Sequence, residues 1–207
     1  MRLGYTNVHR MPQGYFGWLE REAPEKLTLE EPGALRVGDW FPSCRLILLN
    51  TIHDRDYLRI THDSRGFSLE DVEIDYLLIE FYNELCSECL EEVRIFKSLF
   101  KLLEEDPEWG PQIRVIGIGA GSKKRSVARF RKAHAVPFPL FADERWELFK
   151  CLGDPLLPVS YLVKREGSKR KILMIQSGHI VSGEKLFKKI LSAMQAEGPA
   201  LKTENKE

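Results

Sequence analysis

Two cysteines three residues apart, in Cys86-Ser87-Glu88-Cys89, are the residues of this 207-residue chain best suited to chemistry. They follow a nearly continuous apolar run, Tyr76 to Tyr82 (YLLIEFY), which reads as a strand buried on both faces. They precede Val93, Phe96, Phe100 and Leu103, whose spacing of three and four marks one face of a helix. A cysteine at such a junction lies beside the free N–H groups of a helix's first turn, which together with the helix dipole stabilise an anion. Thiolate is the nucleophile of disulfide exchange, so the placement lowers the pKa of Cys86 toward reactivity near neutral pH. Cys89, one turn in, can reach the same sulfur: attack by Cys86 on a disulfide gives a mixed disulfide, which Cys89 resolves. Half of a zinc site is the competing reading. Zinc normally takes four ligands, whereas Cys44 and Cys151 stand alone and His53, His62, His134 and His179 show no matching spacing. Cys44 and Cys151 read as buried thiols, with an accessory redox role as the alternative. Cys151 is the more interesting, because its helix leads into the loop at Pro158.

The elements that must position this pair alternate along the chain. Arg45 to Asn50 and Tyr57 to His62 read as two strands joined at His53-Asp54-Arg55. After the 76–82 strand, the helix stops by Asp106-Pro107, because proline restricts the residue before it. Ile113 to Ile118 is another buried strand. Ser122 is placed to cap a helix whose inward stripe is Val127, Phe130 and Ala133. Asp143 to Leu152 reads as a short helix, Val159 to Val163 and Lys171 to Ile175 as two strands, and Leu186, Phe187, Ile190, Leu191 and Met194 as an amphipathic closing helix. Strands separated by helices pair in parallel with helices on both faces. The last two strands, separated by Glu166-Gly167-Ser168, form an antiparallel hairpin. The expectation is one α/β domain over residues 35–197 with a central mixed sheet flanked by helices and the strand pair, an aromatic-rich N-terminal extension over 1–34, and a polar, flexible tail over 198–207.

The segment LLIEFYNELCSECLEEV resembles the active-site strand, turn and helix of the thioredoxin superfamily. The wider run from Val37-Gly38-Asp39 through Phe138-Pro139-Leu140-Phe141-Ala142-Asp143 to the closing helix resembles its redoxin branch. That branch contains the alkyl hydroperoxide reductase/thiol-specific antioxidant proteins and the thioredoxin-like reductases of cytochrome maturation. The resemblance spans roughly residues 35–196 and implies a thioredoxin-like fold and a thiol–disulfide oxidoreductase. It makes Cys86 and Cys89 the catalytic, redox-active disulfide pair. It makes Pro158 the cis-proline facing them and Leu157 the residue whose backbone pairs with substrate; Pro155 lies too far before the strand. It also places Glu80, six residues before Cys86, where thioredoxin keeps a proton-transferring acid. Between Ile79 and Phe81, such a carboxylate should have a raised pKa by desolvation. The chain departs from thioredoxin in having Leu85 before the first cysteine and Ser87-Glu88 between the two. Glu84 and Glu88 oppose the thiolate, so a milder pKa depression and a reducing pair are expected.

No dissociable cofactor is implied, since the dithiol is itself the redox centre. The implied partners are a protein disulfide or dithiol substrate and an upstream redox protein. A peroxiredoxin-like thiol peroxidase is the enzymatic rival, but it needs Thr three residues and Pro seven residues before its reactive Cys. Asn83 and Ile79 stand there relative to Cys86, and Cys86 and Tyr82 relative to Cys89. A non-catalytic partner-docking module is the other alternative, favoured by the aromatic N-terminal extension. Thirty-one Lys+Arg against 31 Asp+Glu give no basic footprint for nucleic acid. No stretch approaches the roughly 18 apolar residues of a membrane span, and the start lacks a secretory apolar run, so a cytoplasmic protein is expected. Gly117-Ile118-Gly119-Ala120-Gly121 lacks dinucleotide-loop spacing and reads as a tight strand end. The basic run from Lys123 reads as the wet face of a helix, or as a steering surface for an acidic partner.

Overall fold

The computed structural model describes residues 35–50 and 52–196; the extension over 1–34 and the tail over 198–207 lie outside them. In chain order the elements are β1 (Arg45–Ile47), α1 (His53–Leu58), β2 (Gly66–Ser68), a 3-10 turn (Leu69–Asp71), β3 (Tyr76–Tyr82), α2 (Ser87–Glu105) and β4 (Ile113–Ala120). They continue with α3 (Lys124–Ala133), β5 (Leu140–Asp143), α4 (Glu147–Cys151), β6 (Val159–Glu166), β7 (Lys169–Ser177) and α5 (Gly183–Ala196). The central sheet has the order β5-β4-β3-β6-β7, with β3, β4 and β5 parallel and β6 and β7 antiparallel. The mixed α/β architecture is therefore as the residue pattern implies. Because side chains alternate across a strand, β3 builds two cores. Leu77, Ile79 and Phe81 join one with Ile116, Ile118 and Phe141, while Leu78 and Tyr82 join the other with Phe96, Leu99, Leu186 and Ile190. Helices α2, α3 and α5 cover the second face; β1–β2 and the short α1 and α4 supply the first. No helix among the described residues is long and apolar enough to cross a membrane.

Three local expectations are corrected. Residues 57–62 are not a strand: His53–Leu58 is helical, Arg59 ends it at φ 52, and β1 pairs instead with Gly66–Ser68. The alternation there is overridden by tertiary contacts. Buried Asp54 takes Arg131 Nη1 at 2.7 Å. β5 begins only opposite Gly117, so the Val115 peptide has no strand partner on that side. The Tyr57 hydroxyl serves it, accepting Val115 N–H at 2.9 Å and donating to its carbonyl at 3.3 Å. Second, Ser122 does not cap α3. Lys123 is the N-cap residue, Ser122 Oγ is buried without a hydrogen-bond partner, and Lys124 N–H donates to Glu144 Oε1 at 3.2 Å. Third, Leu140–Asp143 is a strand, so the short helix starts later than expected, at Glu147. Asp143 then accepts the N–H groups of Glu147 (2.8 Å) and Phe149 (2.9 Å).

The glycine run does end a strand in a tight turn. Gly121 has φ +70, and a Cβ there would run into the Trp146 indole. Left-handed backbone costs an L-residue roughly 1–2 kcal/mol before any clash. Gly121→Ala is expected to lower unfolding stability by about 2 kcal/mol or more, read as a reduced urea midpoint with an unchanged slope.

Candidate active site

The junction between β3 and α2 is shaped by Asn83. Its Nδ2 donates to Ala120 O at 2.7 Å, tying the ends of β3 and β4 together, and its Oδ1 accepts Leu85 N–H at 2.9 Å. Cys86 N–H donates to Asn83 O at 3.1 Å, completing the turn. Cys86 is then the N-cap of α2, in extended backbone, and its Sγ accepts the Cys89 N–H at 3.2 Å. One orphan donor of the helix start is thereby satisfied by sulfur. The two sulfurs are joined as a disulfide, with Cα atoms 5.3 Å apart. Cys86 is half-buried, whereas Cys89 is fully buried in the cluster of Val93, Phe96 and Leu162. The outer sulfur is thus presented and the inner one held in an apolar floor.

Carboxylates surround the pair at two depths. At the surface Glu88 Oε2 lies 3.8 Å from Cys86 Sγ and accepts the Ser87 hydroxyl at 2.9 Å. Its own backbone N–H and that hydroxyl hold its carboxyl below the usual range, so it remains an anion beside the outer sulfur. Below, Glu80 is 4% exposed on the same strand face as Leu78 and Tyr82. Burial pushes its carboxyl well above the ordinary value, and Glu92 adds to the effect. Glu92 was not singled out by the sequence reading. It is 2% exposed, burial raises its carboxyl to about 7, and the Ile180 N–H, donating at 3.3 Å, partly offsets the rise. Its signal is an acid on the inward stripe of α2, between Cys89 and Val93 and Phe96. Ser160 stands opposite Glu80 across the β3–β6 pairing, and the hydroxyls of Ser160 and Tyr82 are buried without a hydrogen-bond partner.

The Leu157–Pro158 peptide is cis. Phe81 pairs with Val159, so Pro158 comes level with Tyr82 at the end of β3 from which the Cys86 turn departs. Cys86 and Leu157 pack on the same apolar cluster. Leu85 and Leu156, which immediately precede them, are 91% and 88% exposed. The structure thus brings Cys86, Cys89, Glu80, Leu157 and Pro158 to one end of the sheet. Among the described residues no group of three or more His, Cys, Asp or Glu is arranged to hold a metal ion.

A mixed five-stranded sheet with a Cys-x-x-Cys disulfide opening a helix, and a cis-proline at the same sheet end, defines a thioredoxin-like protein. The AhpC/TSA family model matches residues 49–181, more than half of the chain, and the chain belongs to that family. The thiol-disulfide oxidoreductase ResA of Geobacillus thermodenitrificans is 20% identical over 118 residues, covering 57% of this chain and 65% of the relative. The chain thus spans somewhat under two thirds of that relative's length. Among solved structures, a Chlorobium tepidum protein described as a thiol:disulfide interchange protein DsbE superposes with a TM-score of 0.60 at 18% identity, covering 78% of this chain and 99% of that one. Mycobacterium tuberculosis AhpC superposes with a TM-score of 0.56 at 17% identity, covering 81% and 97%. The structural likenesses establish the fold, and the family match places the chain in the redoxin branch.

The buried acids make stability fall with rising pH. Glu92 titrates near 4.5 when unfolded and about 7 when folded, so between those values the folded chain binds more protons and each pH step destabilises it. Glu80 acts in the same direction. Glu92→Gln is expected to flatten the decline between pH 4.5 and 7, and to exceed the parent in stability at pH 8 by on the order of 3 kcal/mol. Urea unfolding of the oxidised chain across that range reads the difference.

Proposed function

We propose that this chain is a thiol–disulfide oxidoreductase that reduces disulfides of partner proteins. The observation that carries the reading is the Cys86–Cys89 disulfide at the start of α2, its outer sulfur half-exposed and its inner sulfur in the same apolar cluster that buries Glu92 and flanks Glu80. In the reduced form, Cys86 thiolate attacks one sulfur of a partner disulfide and expels the other as a thiolate. Cys89 then loses its proton to a buried carboxylate and attacks Cys86 Sγ, which releases the partner's second thiolate. The partner gains two electrons and the chain closes its own disulfide. The thiols supply the redox chemistry, so the reading needs no dissociable cofactor, and an upstream dithiol protein must return the chain to its reduced state.

Leu157 is the docking residue of this scheme. Its backbone precedes the cis-proline at the sheet end that carries the disulfide, and exposed Leu85 and Leu156 offer apolar contacts to a partner segment. The anion of Glu88 beside Cys86 works against the thiolate, which favours a reducing pair. A peroxidase reading is less well supported: at the position of the peroxide-holding threonine, the Asn83 side chain is engaged by Ala120 and Leu85.

The test is an equilibrium titration against glutathione with thiol labelling and peptide mass mapping. One two-electron transition at Cys86 and Cys89 is expected; a pair that stays reduced across the whole range sinks the reading. Cys86→Ser is expected to reduce turnover to background, and Cys89→Ser to accumulate mixed disulfides with partner proteins. Glu80→Gln should slow the release step about 100-fold while leaving attack by Cys86 nearly unchanged; stopped-flow mixing with a disulfide substrate separates the two steps.

A further inference from the structure

Two cysteines outside the Cys-x-x-Cys motif line one cavity. Cys44 directly precedes β1 and Cys151 is the last residue of α4; with Arg45, Asp143 and Leu148 they bound about 430 Å³ on the face of the sheet covered by β1 and α4. Cys44 is half-buried and packs on the apolar cluster that holds Leu148 and Phe149 of α4, while Cys151 is exposed. The carboxylate of Asp143 holds the start of α4 through the Glu147 and Phe149 N–H groups. Burial pushes the Cys44 thiol up to about 12, and Glu70, Asp143 and the Cys151 thiol add to the shift, so the two thiols lie within electrostatic reach of each other. The carrier of Cys151 is short: α4 is entered through Trp146 at φ 60 and left through Gly153 at φ 85 and Asp154 at φ 50.

We propose that Cys44 and Cys151 are a second redox pair, a dithiol that closes to a disulfide by passing two electrons to a small-molecule disulfide. Exposed Cys151 is the attacking member and Cys44 the resolving one. Cys151 thiolate attacks one sulfur of oxidised glutathione, its S–S bond breaks, and one glutathione leaves as a thiolate that takes up a proton. Cys44, losing its proton to water, then attacks Cys151 Sγ and expels the second glutathione. Two protein thiols are oxidised and one glutathione disulfide becomes two thiols. Closure requires the two Cα atoms within about 7 Å.

The pair is tested in the full chain and in its Cys86→Ser/Cys89→Ser variant, so that failure of the proposed active site leaves this result readable. Each is equilibrated with oxidised glutathione, quenched with an alkylating agent under denaturing conditions, and mapped by mass spectrometry without reduction. A Cys44–Cys151 linked peptide is expected in both proteins, and Cys44→Ser should convert it to a persistent glutathione adduct on Cys151. Cys44 recovered as the alkylated thiol at every oxidant level overturns the proposal, whether Cys151 is then free or glutathionylated.

Discussion

A helix that begins at the end of a buried strand leaves backbone N–H groups without intrahelical partners, and in this protein a sulfur takes one of them. The Cys86 Sγ contact with Cys89 N–H, at 3.2 Å, caps the helix at the very residue that closes the disulfide. Its two halves depend on different parts of the chain. The strand end is fixed by Asn83, which joins β3 to β4 through Ala120 O, and the helix direction is fixed by Val93, Phe96 and Leu99 against the sheet. Rotating α2 to remove Cys89 from the core would expose that stripe to water, at roughly 1.5–3 kcal/mol for each large side chain. The apolar packing therefore enforces the asymmetry between an accessible and an enclosed sulfur that stepwise disulfide exchange needs.

The same packing carries a cost that a purely structural core would avoid. Glu80 and Glu92 lie in the apolar layer between sheet and helix, and among the described residues neither has a cationic partner to offset its desolvation. A buried carboxyl without such a partner keeps its proton to higher pH than an exposed one. Two leucines of similar size would be more stabilising there. What Glu92 offers, with its carboxyl raised to about 7, is a proton site that changes state near neutral pH. Contrast Asp54, equally buried but paired at 2.7 Å with Arg131: that carboxylate anchors α1.

How much was legible in the sequence followed the range of the forces involved. β3, α2, β4 and the closing helix have strong periodicity and long apolar faces, and their placement follows from residue spacing alone. The Cys86–Cys89 junction and the depth of Glu80 could be read from the apolar run around them. The cis peptide at Pro158 came from family resemblance, because nothing local to Leu156-Leu157-Pro158 selects that isomer. Residues 53–62 were misread because the decisive contacts, from Asp54 to Arg131 and from Tyr57 to Val115, cross 77 and 58 residues of sequence. Ser122 failed as a cap for a related reason: a carboxylate from Glu144 reaches the helix start from another segment. Glu92 went unnoticed because acids on α2 are numerous and only three-dimensional packing shows which one faces inward.

The charge around the sulfurs bears on the direction of electron flow. A thiolate stabilised by its surroundings stabilises the reduced state, and strongly oxidising pairs owe their potential to that effect. Here the helix start and the Cys89 N–H favour negative charge on Cys86, while Glu88 at 3.8 Å opposes it. Below, neutral Glu80 and Glu92 add little repulsion when protonated and more as they ionise. The balance therefore shifts with pH: raising pH through the titration of Glu92 adds negative charge on the inward face of α2 that also carries Cys89. Negative charge added there works against a thiolate at the pair, in the same direction as Glu88.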